Sequence, residues 1–199
     1  MADNEKELIE RCKRLDVSAQ KEVYQKYNSY FRAIIYRYAY RIIDIEDILQ
    51  EGFIKIFLNI RSFKWNKSGS FIMWMKTIII NTAITYYNKN KKREKDISID
   101  DLLYGENNEN INNLSIADYE VVDNADISEQ ELMEILNTIP IDFRIVFSMN
   151  VIEGYKHKEI AKKLNIKEKT SRTRLLRAKQ ILQKQLAKIC DTSMFEKKE

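Results

Sequence analysis

An all-α fold in two helical domains is what this sequence predicts, and three observations carry it. Only four Gly and one Pro occur in 199 residues, so breakers are rare, while Lys, Ile, Leu, Glu and Asn abound. Apolar residues recur every three or four positions, and strand-like alternation is sustained nowhere. Charge, finally, is segregated: residues 1–95 sum to +8 and 155–199 to +9, but 96–127 hold no Lys or Arg and sum to −9, and 128–154 sum to −4. A helical domain over 1–95, an acidic flexible linker over 96–127, a second helical domain over 128–190 and a tail over 191–199 follow. Two basic ends separated by an acidic middle suggest two sites for a polyanion.

Residues 5–20 read as a short polar helix broken near Asp16-Val17-Ser18. From Ala19 a stripe of Val23, Tyr27, Tyr30, Ile34 and Tyr38 predicts a long helix to about Arg41. Asp44 is the expected cap of the next helix, whose buried stripe is Ile45, Leu49, Phe53, Ile56 and Ile60. Opposite lie Asp47, Gln50, Glu51 and Ile54, an acidic strip holding one Ile inside a basic domain. A protein partner explains that strip better than nucleic acid does, although a solvated helix face has the same pattern.

Residues 61–70 form a loop bearing Phe63, Lys64, Trp65 and Lys67. A helix from Phe71 to about Asn90 follows, apolar around most of its girth, with Trp74, Thr77, Asn81, Thr85 and Asn88 on the remaining face. It ends in a run with Lys89, Lys91, Lys92, Arg93 and Lys95. Cations for phosphates, rings for exposed bases and amides for base edges are what single-stranded nucleic acid calls for. Trp65, Phe71 and Trp74 are equally compatible with a place in the core.

The linker spans roughly 30 Å on average and about 105 Å fully extended. Ser128 and Glu131 then form a capping-box pattern ahead of Leu132, Ile135 and Leu136. Pro140 is placed for a first helical turn before Phe143–Ile152, and Gly154 ends that helix. Ile160, Ala161 and Leu164 make one apolar face, Asn165-Ile166 interrupts, and a helix from Thr170 keeps Leu175, Ala178, Leu182 and Leu186 on one side. Its outer side holds Lys169, Thr173, Leu176 and Arg177, flanked by Arg172, Arg174 and Lys179. Two helices joined by a tight turn, the second basic outside, are the pattern of a helix-turn-helix that enters a major groove. An ordinary helical hairpin with a solvated basic face shares it.

Several classes are disfavoured. The first ten residues are polar, unlike a secretory leader, and no apolar run reaches membrane-spanning length. Cys12 and Cys190 lack metal-ligand spacing, so reduced cytosolic thiols are expected. No GxxxxGK[ST] and no His/Cys cluster is present, and His157, the single His, sits between two Lys as a surface or phosphate-contacting residue. No enzyme activity, metal or cofactor is expected. A stand-alone helix-turn-helix regulator binding operators as a dimer is the alternative, but no heptad run supplies a dimer seam.

In their order, Asp-Ile-Glu-Asp-Ile-Leu-Gln-Glu at 44–51, Gly-Ser-Phe-Ile-Met-Trp-Met at 69–75, Asn-Thr-Ala at 81–83, Thr-Ile-Pro at 138–140 and Thr-Ser-Arg-Thr-Arg-Leu-Leu-Arg-Ala at 170–178 resemble a bacterial RNA polymerase sigma factor of the small extracytoplasmic-function type. The resemblance covers about 18–93 and 128–188. It implies that Asp44, Glu46, Asp47, Gln50, Glu51 and Ile54 dock on the coiled coil of the polymerase's largest subunit. Ser62, Phe63, Trp65, Lys67, Ser70, Phe71, Trp74 and Asn81 would open the −10 element, beside Lys89, Lys91, Lys92 and Arg93 on phosphates. Thr170, Arg172, Thr173, Leu176 and Arg177 would face the −35 element, with Lys169, Arg174 and Lys179 on its backbone. Further implications are a cytoplasmic protein, monomeric in the holoenzyme, contacting duplex and single-stranded promoter DNA and held silent by an anti-sigma factor. There are departures from the family pattern. Gly52 replaces a larger aliphatic residue, which weakens its helix by about 0.5–1 kcal/mol. Asn165 stands where Gly is usual, and Ser171 replaces Val, which predicts looser packing.

Overall fold

The computed structural model describes residues 2–39, 41–94, 135–136 and 138–196, and no strand occurs among them. The expected linker and the Ser128–Glu131 capping box lie outside the described residues. The helices are α1 (Ala2–Lys13), α2 (Val17–Tyr36), α3 (Ile42–Asn59), α4 (Ser70–Glu94), α5 (Ile141–Phe147), α6 (His157–Leu164) and α7 (Glu168–Glu196). A 3₁₀ turn (Ile60–Ser62) follows α3, and α5 continues as a π-helical turn, Ser148–Ile152.

The break after α1 lies where Asp16 predicts it. Its carboxylate accepts the Ser18 and Ala19 amides at 2.9 and 3.1 Å and caps α2, satisfying donors no helix can satisfy internally. Helix α2 buries Ala19, Val23, Tyr27, Phe31, Ile34 and Ile35. Tyr30, expected in that stripe, is exposed. Phe31 takes the inward position instead, four residues after Tyr27 as the helix repeat requires. Cys12 is buried beneath α1, and burial pushes its thiol up to about 11.

Helix α3 starts earlier than expected, with Arg41 at the N-cap position and Asp44 inside the first turn. The Asp44 carboxylate reaches back to the Arg41 amide at 3.0 Å and its guanidinium at 2.9 Å, and it accepts Tyr86 Oη from α4 at 3.0 Å. Gly52 faces α4: a Cβ added there would lie 2.4 Å from Ile79 Cδ1, the tip of a side chain that would have to turn aside, and 3.9 Å from Ile79 Cα.

Gly69, at φ +79°, turns the chain into α4, a conformation only glycine adopts freely. Phe71, Met75, Ile79, Ile80, Ala83, Ile84 and Tyr87 are buried. In the C-terminal half, Pro140 precedes α5, and Gly154, at φ +75°, ends the π-helical turn. Asn165 caps α6 in the left-handed region at φ 53°, filling the turn position that favours Gly. Leu175 and Ala178 of α7 face inward, and Ala178 packs in a small cluster with Leu136 and Ile139.

The halves are not held apart. One continuous buried cluster joins Ile79, Ile80, Ile84 and Tyr87 of α4 to Ile145, Val146, Met149, Ile160 and Leu164 of the C-terminal half.

Candidate polymerase and nucleic-acid interfaces

Three helices present faces of different chemistry. On α3, Asp47, Gln50, Glu51 and Ile54 are exposed as their spacing requires. Glu51 holds Lys55 at 2.6 Å, and Glu46 pairs with Arg32 of α2. The stripe is longer than the sequence reading made it. Ile43 stands exposed one turn before Asp47, and Leu58, 76% exposed, one turn after Ile54. Positions 43, 47, 50, 54 and 58 lie three or four apart, so the helix repeat could have found both. Asp44 is not in the stripe: it is 1% exposed. Burial opposes its ionisation, but the hydrogen bonds from Arg41 and Tyr86 outweigh it and hold the carboxyl below its usual range.

The second face combines the 62–70 loop with α4. Phe63 and Phe71 are 6% and 1% exposed and belong to the core. Trp74 lies over both, stacked on Phe71 at 17° and 5.9 Å and 5.2 Å from Phe63. Trp65 is half-buried against the same core. The open ring surface is therefore that of Trp74 and Trp65, while the two Phe rings support it. Lys67 is exposed, Ser62 Oγ donates to the Asn59 carbonyl at 2.7 Å, and Ser70 Oγ is buried without a hydrogen-bond partner.

Further along α4, groups expected to face a DNA strand meet the C-terminal half. Asn81 Oδ1 accepts Lys163 Nζ at 2.8 Å, and Asn88 Nδ2 donates to the Lys163 carbonyl at 2.8 Å. Lys91 lies 3.5 Å from the Asp142 carboxylate, which also accepts Tyr87 Oη. Lys89 is exposed, and the side chains of Lys92 and Arg93 lie outside the described residues.

The third face is the outer side of α7. Lys169, Arg172, Thr173 and Lys179 are exposed, and Thr170, Leu176 and Arg177 are partly so. Arg172 rests on Glu168 one turn earlier at 2.6 Å. Arg174, expected at the phosphate backbone, is mostly buried and donates to Asp142 at 2.7 Å. His157 is no free surface cation either. Its Nδ1 lies 2.9 Å from Oγ of the buried Ser171, so the position expected to pack loosely holds a polar pair between α6 and α7. Burial lowers the His157 pKa; Arg172 and Lys179 push the same way, and Glu168 opposes them.

Asp142 and Glu153 were not foreseen as interacting residues. Asp142 joins Tyr87 and Lys91 of α4 to Arg174 of α7. Glu153, with a side chain 6% exposed, pairs with Arg37 at 3.2 Å and Lys76 at 2.6 Å. Nothing local in the sequence joins residues so far apart.

Exposed acidic and apolar groups on one helix, ring surface and amides on a second and cations on a third are the chemistry met at protein and nucleic-acid interfaces. Comparison with known proteins agrees and is narrower. The model of Sigma-70 region 2 matches residues 23–93, and that of Sigma-70 region 4 matches 129–182. The ECF RNA polymerase sigma-E factor of Haemophilus influenzae is 26% identical over 183 residues, covering 90% of this chain and 93% of that protein. The ECF RNA polymerase sigma factor SigW of Bacillus subtilis is 29% identical over 188 residues, covering 91% and 96%. The sigma factor RpoE of Bartonella quintana, solved in complex with the anti-sigma factor NepR, aligns with a TM-score of 0.46 at 20% identity over 84% of this chain and 96% of that one.

The chain belongs to the sigma-70 family, in its extracytoplasmic-function group. Its function is to direct core RNA polymerase to promoters, and the stand-alone dimeric regulator is not favoured. Sigma factors are not themselves catalysts. Among the described residues no helix is long and apolar enough to cross a membrane.

Proposed function

We propose that the α3 stripe of Glu46, Asp47, Gln50, Glu51 and Ile54, lengthened by Ile43 and Leu58, seats this chain on the coiled coil of the largest polymerase subunit. Asp44 acts behind it by fixing the helix start. The 62–70 loop and α4 take the opened −10 strand: Trp74 and Trp65 offer ring surface, Asn81 a base-edge amide, and Lys67, Lys89, Lys91, Lys92 and Arg93 the phosphate contacts. The outer face of α7 reads the −35 element through Arg172, Thr173, Leu176 and Arg177. Residues 1–95 and 128–190 act as the two modules, and 96–127 as their tether. The protein works as a monomer in the holoenzyme, in the cytoplasm. An anti-sigma factor that silences it would cover apolar groups on these faces, such as Ile54 and Leu176.

The observation that carries this reading is the separation of chemistry among helices. Acidic and apolar groups are exposed on α3, while exposed cations line α7. Energetics fit a division of labour with polymerase. Unstacking a base costs a few kcal/mol, and stacking on a ring returns about 1–3 kcal/mol per base. The chain can offset one or two bases, and polymerase supplies the rest. The two elements lie on the order of 60 Å apart at about 34–36 Å per turn, within the tether's extended reach of about 105 Å.

Run-off transcription with core enzyme tests the assignment. Arg172→Ala and Arg177→Ala should each lower −35-dependent initiation by about 5–150-fold, the equivalent of about 1–3 kcal/mol for a bidentate contact to guanine. Both variants should still be pulled down by core polymerase. Poor pull-down by both would mean that α7 faces polymerase instead.

A further inference from the structure

His157 and Ser171 belong to none of the three faces. Nδ1 of His157, in the first turn of α6, lies 2.9 Å from Oγ of Ser171, in the first turn of α7, and Ser171 is 0% exposed. Around this pair the junction is apolar: Ile160 and Leu164 of α6 share a buried cluster with Leu175 of α7. The turn holds the other end of α6, where Asn165 stands at φ 53° and the Ile166 amide donates to the Ala161 carbonyl at 3.0 Å. Apolar contact is non-directional and leaves one helix free to roll against the other, whereas a hydrogen bond has a preferred line. The pair therefore ties the start of α6 to α7 and fixes how α7 is turned about its axis. Arg172 and Thr173 follow Ser171 directly and are exposed. A roll of about 10° carries a side chain about 5–6 Å from the axis through about 1 Å, while a two-bond contact to a base edge tolerates about 0.5 Å.

We propose that His157 is a positioning residue for −35 reading: through Ser171 it sets the roll of α7, and with it the aim of Arg172 and Arg177, without touching a base itself. The inference rests on the reading of α7 as the −35 helix. Aim and stability can be separated at this site. Replacing both partners by apolar groups strands no polar atom in a junction that is already apolar, so it costs little stability, but it removes the directional tie.

The test uses the full-length chain with core polymerase. It compares His157→Phe and Ser171→Ala combined with His157→Asn alone, whose amide stands where Nδ1 stood and can accept or donate. Melting curves give stability. Run-off transcription from a promoter that the holoenzyme uses, and from copies with single −35 base pairs replaced, gives selectivity. The double variant should melt as wild type does and lose about fivefold in selectivity, the equivalent of about 1 kcal/mol, while His157→Asn keeps it. Should the double variant not fold, Ser171→Ala alone, which removes one oxygen, takes its place with the same expected loss. Unchanged selectivity overturns the proposal, even where initiation falls equally on every template, because α7 is then not misaimed. An equal loss in His157→Asn also overturns it, since the hydrogen bond would not be what sets the aim. Arg172→Ala in the same assay judges the α7 reading separately. If it erases selectivity while the double variant does not, α7 still reads the −35 element and only the positioning role has fallen.

Discussion

Helices α3 and α4 lie side by side in one half of the molecule, brought close where Gly52 meets Ile79, yet their outer faces meet different conditions. That of α3 is open, with Ile43, Ile54 and Leu58 left in solvent beside Asp47, Gln50 and Glu51. That of α4 runs through Met73, Thr77, Asn81, Thr85 and Lys89, all exposed, and touches the C-terminal half at its margin, where Asn88 and Lys76 pair with Lys163 and Glu153. An apolar stripe this exposed is costly to a lone chain and makes sense where a constant partner covers it. The difference teaches that two packed neighbouring helices can hold open, side by side, one acidic and apolar face and one polar, amide-bearing face.

The largest expected effect separates support from contact within α4. Phe71 is buried under Trp74, so Phe71→Ala should cost about 3–5 kcal/mol of stability and lower the thermal midpoint of the chain. Trp74→Ala, at a half-buried ring, should cost much less stability. It should instead weaken capture of the −10 strand by the holoenzyme by about 5–150-fold, matching about 1–3 kcal/mol of lost stacking. Melting curves and promoter-opening assays on the pair check this. If Phe71→Ala leaves the melting curve unchanged, the ring is not the platform its burial implies. Next comes the α3 face. Asp47→Ala with Gln50→Ala should weaken association with core polymerase about tenfold in a pull-down, a loss of about 1.4 kcal/mol. Binding of the free chain to single-stranded DNA should not change, since the face lies away from α4's strand groups. Normal polymerase association would break the comparison, because the open stripe would then serve nothing assigned to it.

How much of this was legible in the sequence depended on range. Long helices were legible because α2 and α3 repeat their apolar pattern over about four turns and α7 over about three, while α4 runs long without a breaker. The left-handed Asn165 and the exposure of Lys169, Arg172, Thr173 and Lys179 on α7 were legible because turn chemistry and helix spacing act over a few residues. Asp44 was misplaced for a reason of the same kind. A capping search favours Asp over Arg at the N-cap, and the Tyr86 hydroxyl that helps bury it comes from 42 residues away. Phe63 could not be told from an exposed ring by pattern, because a loop aromatic has no periodicity to give its direction; Phe71 could have been, since it stands four residues before Met75 in the buried register of α4. The pairs of Glu153 with Lys76 and of Asp142 with Lys91 and Arg174 exist only once the halves meet. Segregated charge predicted two basic regions, and the same charge let acidic residues of one half find cations of the other.

The smallest effect concerns the face that neither helix controls. His157 joins α6 to α7 through the buried Ser171, and burial, reinforced by Arg172 and Lys179, disfavours its charged form. A folded-state pKa below the unfolded value means that the unfolded chain binds more protons in the interval between them. Stability from this site is therefore full above the unfolded value, about 6.5, and is lost as pH falls through the lowered folded value. Melting curves at pH 5.5 and 7.5 should show the chain less stable at the acid end, after allowance for its carboxylates. His157→Gln, which cannot titrate, should reduce that difference. An unchanged pH dependence in the variant would mean that the ring accepts its proton in the folded chain as readily as in water, and that the α6–α7 junction is wetter than its packing implies.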